Sequence, residues 1–223
     1  MTRASALMLF AICSTAAFAS NCPNGDELLN SDTSLATLCP NGFGQFQPGS
    51  IQNAINNQQG NTQMIVAAAE QDGVPVDLAL AVAYHESEGF NSCAGSDTGV
   101  KGPMQLTQTT ARGLGYNRDI NEQNIKGGMA VLKRAFDICG ATNYACLSSN
   151  YNGSPRPGEQ AGWARGVERA DSEIKSNPTL EASACQGGTL SCGPGDFPSM
   201  PIAGNATQPP ASTADMTLPA SAG

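Results

Sequence analysis

Two carboxylic acids stand close together in the stretch HESEGFN, residues 85–91, directly after the nearly uncharged run DLALAVAY. Glu86 follows Val82 by four residues and Ala83 by three, so it continues the stripe of a helix that is apolar on all sides and predicted to be buried. Burial and the negative end of the helix dipole both favour the protonated carboxyl, the form that a general acid needs near neutral pH. The alternative is that the helix ends one turn earlier and Glu86 is solvated.

The other acids near this stretch lack that context. Glu88 shares a helix face with Tyr84 and is predicted to be a surface residue, while Asp97 and Asp119 lie among Gly, Ser or Asn and are predicted to be loop acids. A typical glycosidase uses two carboxylic acids, one on each side of the bond. A single acid suffices if the substrate itself supplies the nucleophile.

Metal or cofactor chemistry is not predicted. His85 is the only histidine and has no clustered ligands, the cysteines lack C-x-x-C spacing, and the glycines at 102, 113 and 115 lack the strand and lysine of a phosphate loop. Trp163 is expected to pack on the helix that carries Glu86 rather than to stack on a sugar.

Four helices must position these residues. The first is predicted over about 62–72, with Met64, Ile65, Ala68 and Ala69 on one face and Gly73 at its end. The second begins after an Asp77 cap. The third covers 120–139 and the fourth runs from about Trp163 to Ile174. Alternating strand patterns are scarce, which predicts a mainly α domain without an extensive sheet.

The chain divides into four parts by composition. The first resembles a secretory signal cut after the A-x-A pattern at 17–19, and neither it nor any later segment is long enough for a transmembrane anchor. We therefore expect a periplasmic or secreted protein. The predicted parts are a signal peptide (1–19), a loop-rich N-terminal extension (20–59), a single folded domain (60–178), and a Cys-containing loop with a disordered Pro/Ala-rich tail (179–223).

The net charge and the cysteines indicate which partners and which disulfides the protein can have. The formal net charge of −8 makes nucleic acid an unsuitable partner. Seven cysteines follow residue 19, in a compartment that permits disulfides. Their connectivity stays open; pairing of neighbours would join Cys22 to Cys39, Cys139 to Cys146 and Cys185 to Cys192, and would leave Cys93 over.

Four ordered stretches carry a family resemblance: ALAVAYHESEGFN, GVKGPMQLTQTTARGLG, NIKGGMAVLKRAF and SNYNGS. In order and spacing they resemble the soluble lytic transglycosylase family, which has a lysozyme-like fold, over about residues 62–170. The resemblance implies that Glu86 is the sole catalytic acid and base. It also implies five substrate-binding residues: Ser87 beside the acid, Met104 and Gln105 in the sugar site, and Tyr151 and Asn152 closing the cleft.

The resemblance implies a reaction as well. Members of the family cleave the β-1,4 bond between N-acetylmuramic acid and N-acetylglucosamine in peptidoglycan and form a 1,6-anhydro ring without water. This sequence departs from the family pattern by an extra residue, Glu88 or Gly89, by Pro103 in place of a larger apolar residue, and by an added loop between Cys139 and Tyr151. These departures affect cleft shape more than the choice of acid.

Two alternatives to this enzyme remain open. One is a non-catalytic protein that binds glycan strands or assists assembly and keeps only the groove; the tail is similar to that of specialised transglycosylases that serve an envelope-spanning secretion machine. The other is a hydrolase of the goose-lysozyme kind, which would release reducing muramic ends. The products distinguish the two enzymes, because they differ by one water.

Overall fold

The computed structural model describes residues 22–47, 49–96 and 99–185. The proposed signal peptide, Asp97, Cys192 and the Pro/Ala-rich tail lie outside the described residues. Within these ranges the chain forms ten helices, in agreement with the predicted mainly α class: α1 (Pro23–Leu28), α2 (Leu35–Leu38), α3 (Ile51–Asn57), α4 (Gln59–Asp72), α5 (Val76–Glu86), α6 (Gln108–Gly113), α7 (Asn121–Cys139), α8 (Tyr144–Tyr151), α9 (Pro157–Ser176) and α10 (Pro178–Cys185).

Helix α4 lies at the centre of the domain. It packs against α1, α5, α7 and α10, so every residue from Gly60 to Ala69 is buried. The four residues predicted on one apolar face are buried, and the burial extends around the helix, because Thr62 and Gln63 are enclosed as well. The predicted end is confirmed: Gly73 has φ 66°, a left-handed conformation that glycine adopts without a Cβ penalty.

Helix α5 positions the candidate acid. Residues Leu78 to Ala83 are buried on all sides, as the sequence predicts, and the helix continues to Glu86. Asp77 does not cap this helix, because Pro75 occupies the cap position and Asp77 lies in the first turn. There its carboxylate accepts a hydrogen bond from the backbone N–H of Leu78 at 2.9 Å.

Helices α7 and α9 complete the frame around α5. Helix α7 matches the predicted span almost residue for residue, with Ile120 as its N-cap. Helix α9 begins six residues before the predicted Trp163, because Pro157 starts it in the first-turn position that proline favours while the residues up to Gly162 carry no apolar pattern. It packs along α5 and α8 and so brings Trp163 next to Glu86.

The N-terminal extension folds back across the domain, and this decides the disulfides. The bonds are Cys22–Cys185, Cys39–Cys93 and Cys139–Cys146. Pairing of neighbours is thus right for Cys139–Cys146 and wrong elsewhere, and Cys93 is not left over. Residues 178–185, most of which were predicted as loop, form α10 against α3 and α4, which places Cys185 beside Cys22.

Extended segments contribute little to the fold. In the part of the chain that the structure describes, their pairing is limited to isolated bridges, among them Gly44 with Ala94 and Lys101 with Leu106. None of the described helices is both long enough and apolar enough to cross a membrane.

Candidate active site

Glu86 is the last residue of α5, so the helix does not end a turn earlier. Its Oε1 accepts a hydrogen bond from the indole Nε1 of Trp163 at 2.5 Å. The side chain is partly exposed. The carboxyl group is therefore held in one place by α9, with an opening on one side.

The surroundings of Glu86 change its proton affinity. Burial raises its pKa to about 7, against the opposing effect of the Trp163 hydrogen bond, which favours the ionised form. A carboxyl with that pKa is present in both forms near neutral pH, so it can give a proton and later take one back.

Aromatic rings connect Glu86 to the neighbouring elements. The Tyr151 and Trp163 rings stack with centroids 5.8 Å apart and an interplanar angle of 28°. The Tyr151 hydroxyl donates to the backbone oxygen of Met104 at 3.0 Å, and both burial and the charge of Glu86 raise the pKa of this phenol. Tyr151 is therefore a neutral residue that ties α8 to the turn at 101–106.

That turn presents Gln105 in a left-handed conformation, with φ 47°. Its Nε2 donates to the backbone oxygens of Ala94 at 3.0 Å and Gly102 at 2.8 Å. Met104, by contrast, is fully buried, and its N–H donates to Oδ1 of Asn124 on α7 at 3.0 Å. Met104 supports the turn from the core, while Gln105 lies at its partly exposed surface.

A groove of about 430 Å³, open to solvent, runs along this turn. It brings together four of the residues predicted from the sequence: Met104, Gln105, Tyr151 and Asn152. Glu86 is not in the groove lining and is connected to it through Tyr151 and Trp163. The remaining lining residues are Val100, Leu106, Thr107, Thr110, Val131 and Gly153.

Ser87, the fifth predicted binding residue, does not line this groove. It is fully buried; its hydroxyl donates to the backbone oxygen of Ala83 at 2.8 Å and accepts from the N–H of Asn91 at 3.0 Å. Both contacts join the end of α5 to the loop that follows, so Ser87 fixes the backbone beside Glu86.

The competing acids have partners of their own. Glu88 is half-buried and its carboxylate accepts a hydrogen bond from the N–H of Phe46, so its predicted place on the open surface is wrong. The sequence could not place the extension segment that covers it. Asp119 is a loop acid, as predicted; it is partly exposed, and its Oδ1 lies 3.3 Å from Lys101 Nζ. Asp97 lies outside the described residues.

The sequence reasoning missed a buried amide network below the loop. Asn61 donates to the Phe90 oxygen at 2.7 Å and to Ser92 Oγ at 2.8 Å. Ser92 donates to Oδ1 of Asn121, and Asn121 donates back to Oδ1 of Asn61, each at 2.8 Å. This ring of bonds joins α4, α7 and the loop after Glu86.

His85 occupies a structural position. It is half-buried, its ring meets Trp163 edge-on with centroids 6.0 Å apart, and Gly166 on α9 leaves the space that it fills. Burial lowers the pKa of His85, so the ring is neutral near pH 7. Within the described ranges, no group of three or more His, Cys, Asp or Glu side chains is placed to hold a metal ion.

A mainly helical domain with one carboxyl at a buried helix end, beside a groove with an aromatic and amide lining, defines a lysozyme-like domain. Residues 63–172 match the family model described as the transglycosylase SLT domain, so the chain carries this domain and the resemblance in its motifs is confirmed. No solved structure gives a significant match.

Curated relatives agree with this assignment over a short region. The chain is 43% identical over 72 residues to the membrane-bound lytic murein transglycosylase F of Desulfosudis oleivorans, and 48% identical over 58 residues to that of Serratia proteamaculans. These regions are 32% and 26% of this chain, and 16% and 12% of the relatives. The chain thus spans a small part of the relatives, whose names refer to murein and not to a secretion machine.

Proposed function

We propose that this chain is a peptidoglycan lytic transglycosylase that acts outside the cytoplasm, with Glu86 first as general acid and then as general base. The observation that carries the proposal is the Glu86 carboxyl, desolvated at the end of α5 and held by the Trp163 indole at 2.5 Å. The signal-like segment at 1–19 and the three disulfides support a site of action in an oxidising compartment.

The reaction uses the two protonation states of Glu86 in sequence. The protonated carboxyl gives its proton to the glycosidic oxygen while the bond from that oxygen to C1 of N-acetylmuramic acid breaks, and N-acetylglucosamine leaves with a hydroxyl group. The Glu86 carboxylate then removes the proton from the C6 hydroxyl of the muramic residue, and that oxygen bonds to C1. The product carries a 1,6-anhydro ring, no water is consumed, and Glu86 is protonated again.

Among the acids that the structure describes, the contacts of Glu88 and Glu122 within the protein support this route over hydrolysis. A hydrolase of the two-carboxylate kind needs a second acid across the bond. Glu88 is bonded to Phe46, and the buried Glu122 accepts from Ser31 at 2.7 Å and from the Thr33 N–H at 2.8 Å. The C6 hydroxyl of the substrate is therefore the proposed nucleophile.

The groove supplies the proposed binding site for the glycan strand. Gln105 and Asn152 are partly exposed in its lining and are the proposed contacts to the polar groups of the sugars. Tyr151 also lines the groove and stacks on Trp163, the residue that donates to Glu86. Met104 and Ser87, which are committed to contacts within the protein, support the binding site from behind.

The test is digestion of purified peptidoglycan by wild type and by Glu86→Gln, followed by mass spectrometry of the products. We expect wild type to release muropeptides one water lighter than hydrolysis products, and Glu86→Gln to be slower by roughly a thousandfold, as loss of a general acid predicts. Glu168→Gln, an exposed glutamate on α9, is the matched control and should keep wild-type activity.

Three results would contradict the proposal. Reducing muramic ends would indicate a goose-type hydrolase. Binding of glycan strands without cleavage would indicate a non-catalytic protein. Equal rates for wild type and Glu86→Gln would remove Glu86 from the chemistry.

A further inference from the structure

The turn directly after Glu86 has an unusual backbone. Glu88, Gly89 and Phe90 have φ angles of 53°, 113° and 65° in succession. Glu88 follows the C-cap Ser87, and the Gly89 N–H donates to the Tyr84 oxygen at 3.0 Å, the pattern in which glycine commonly follows a helix. A side chain at such a position is disfavoured, because its Cβ lies too close to the following carbonyl oxygen. A glutamate here therefore needs contacts that hold it.

The N-terminal extension provides such a contact. The Phe46 N–H donates to the carboxylate of Glu88, a half-buried residue. Phe46 belongs to the segment 39–47, called here the clasp segment. A hydrogen bond to a charged acceptor is among the stronger bonds in proteins. The carboxylate of Glu88 thus joins the turn after Glu86 to a segment that lies outside residues 63–172, the region that the family model matches.

Further bonds attach the clasp segment to the same loop. Cys39 is bonded to Cys93, and the Gly44 N–H donates to the Cys93 oxygen at 3.0 Å. The Gly95 N–H donates to the Gly44 oxygen, also at 3.0 Å. The loop is therefore held along its length, with Glu88 as the contact nearest to the catalytic end.

The loop in turn contacts both sides of the candidate site. At one end the Asn91 N–H donates to Ser87, next to Glu86. At the other end the Ala94 oxygen accepts from the Gln105 side chain at 3.0 Å. The clasp segment also contacts the turn that carries Gln105 directly, because Lys101 Nζ lies 4.2 Å from the centroid of the Phe43 ring.

We propose that Glu88 is a positioning residue of the active site, whose carboxylate fastens the clasp segment to the turn after Glu86 and so fixes Glu86 relative to Gln105. The inference rests on the proposed function, and it makes the N-terminal extension a working part of the site. This sequence has one extra residue, Glu88 or Gly89, after the Glu-Ser pair compared with the family spacing, so the turn that contains Glu88 departs from the family pattern.

The first measurement is the steady-state rate on soluble glycan strands, with the full chain as it exists. Glu88→Ala keeps the same backbone cost at a left-handed position and removes the acceptor; Glu88→Gln keeps an acceptor oxygen. We expect kcat to fall about tenfold or more in Glu88→Ala, because small misplacements of catalytic groups have large effects on rate, while KM changes less than twofold. Glu88→Gln should recover to within about threefold of wild type. Glu27→Ala, an exposed glutamate of the same extension, is the control.

The second measurement does not depend on activity. Trp163 is the only tryptophan and bonds to Glu86, so its fluorescence reports the ionisation of that carboxyl. Of the other titratable groups beside Trp163, burial lowers the pKa of His85 and raises that of Tyr151, which moves both away from pH 7, and any fluorescence change that they cause remains in Glu86→Gln. We expect a midpoint near 7 in wild type, none in Glu86→Gln, and in Glu88→Ala a shift toward the ordinary carboxyl range by about half a pH unit or more, as Glu86 becomes better hydrated.

A third variant tests whether Glu88 acts through the clasp segment or only through the general stability of the fold. Cys39→Ala with Cys93→Ala opens the clasp segment at its other end. If Glu88 acts through that segment, the effects of Glu88→Ala and of the cysteine pair are less than additive on kcat and on the fluorescence midpoint.

The inference is overturned if Glu88→Ala keeps both the kcat and the fluorescence midpoint of wild type. It is also overturned if Glu88→Gln is as impaired as Glu88→Ala, or if the loss in Glu88→Ala is confined to KM. Wild-type protein that makes no anhydro products would refute the proposed function separately. In that case the fluorescence midpoint of Glu88→Ala still decides whether Glu88 positions Glu86.

Discussion

Two opposing effects act on one carboxyl at the centre of the site. Burial at the end of α5 favours the protonated form of Glu86, and the Trp163 indole, as a donor, favours the ionised form. The balance leaves the pKa at about 7. Because the proposed reaction uses both forms, the donor matters as much as the burial.

Replacement of Trp163 by Phe tests this balance. Phe keeps an aromatic ring against Tyr151 but removes the N–H donor, so the pKa of Glu86 should rise. Since the first step needs the protonated form, kcat/KM of wild type should fall as pH rises above 7. In Trp163→Phe that decline should move to higher pH by roughly one unit, the size expected for loss of a hydrogen bond to a charged group. The measurement is kcat/KM from pH 5 to 9 on soluble glycan strands.

The control for this profile is Tyr144→Phe. Its hydroxyl donates to Asp171 on α9, away from Glu86, so this variant should decline over the same pH range as wild type. A decline in Trp163→Phe that stays in place or moves to lower pH would mean that the indole does not stabilise the carboxylate.

At the scale of elements, local patterns predicted what local forces determine. The all-round apolar run of α5, the Gly73 stop and the spacing in α7 each depend on a few neighbouring residues, and each is confirmed. The local pattern also predicts the place of Glu86 at the end of α5, whereas its role as the acid comes from the family resemblance. The Trp163 donor and the Glu88 anchor depend on how α9 and the extension pack against α5, which no local pattern specifies.

Close packing of α7 against the Gln105 turn depends on a glycine. A Cβ on Gly128 would lie 2.2 Å from Met104 Cβ, and Met104 is buried and joined to Tyr151 through its carbonyl. Gly128→Ala should therefore destabilise the fold by about 1–3 kcal/mol. Gly162 on α9 has no atom within 4 Å of its added Cβ, so Gly162→Ala should stabilise by roughly 0.5–1 kcal/mol through the better helix propensity of alanine.

Urea unfolding of both variants and wild type checks this pair. The two substitutions are chemically identical and both lie within helices, so a difference in sign isolates the contact with Met104. Destabilisation of similar size in both would attribute the effect to the helices themselves.

At the scale of the whole molecule, the two ends of the described region are joined to each other. Helix α1 packs on α4, α10 packs on α3 and α4, and Cys22–Cys185 joins the two ends of the described region over a separation of 163 residues. The prediction that neighbouring cysteines pair was wrong for Cys22 and Cys185, because the packing of the folded chain brings these two distant residues together. Cys139–Cys146, with a separation of 7, joins α7 to α8 locally and was predictable.

The two bonds should differ in their effect on stability. A disulfide lowers the entropy of the unfolded chain more when it closes a longer loop, and the loop-entropy relation gives about 5 kcal/mol for a separation of 163 but only about 2 kcal/mol for a separation of 7. Cys22→Ala with Cys185→Ala should therefore lower the free energy of unfolding by roughly twice as much as Cys139→Ala with Cys146→Ala, in urea titrations without reductant. Because Leu180 and Ala184 hold α10 in the core by their own burial, the folded state should keep its far-UV circular dichroism in both variants. Equal losses, or a larger loss for the short loop, would show that packing around the sulfurs, and not closure of the chain, sets their contribution.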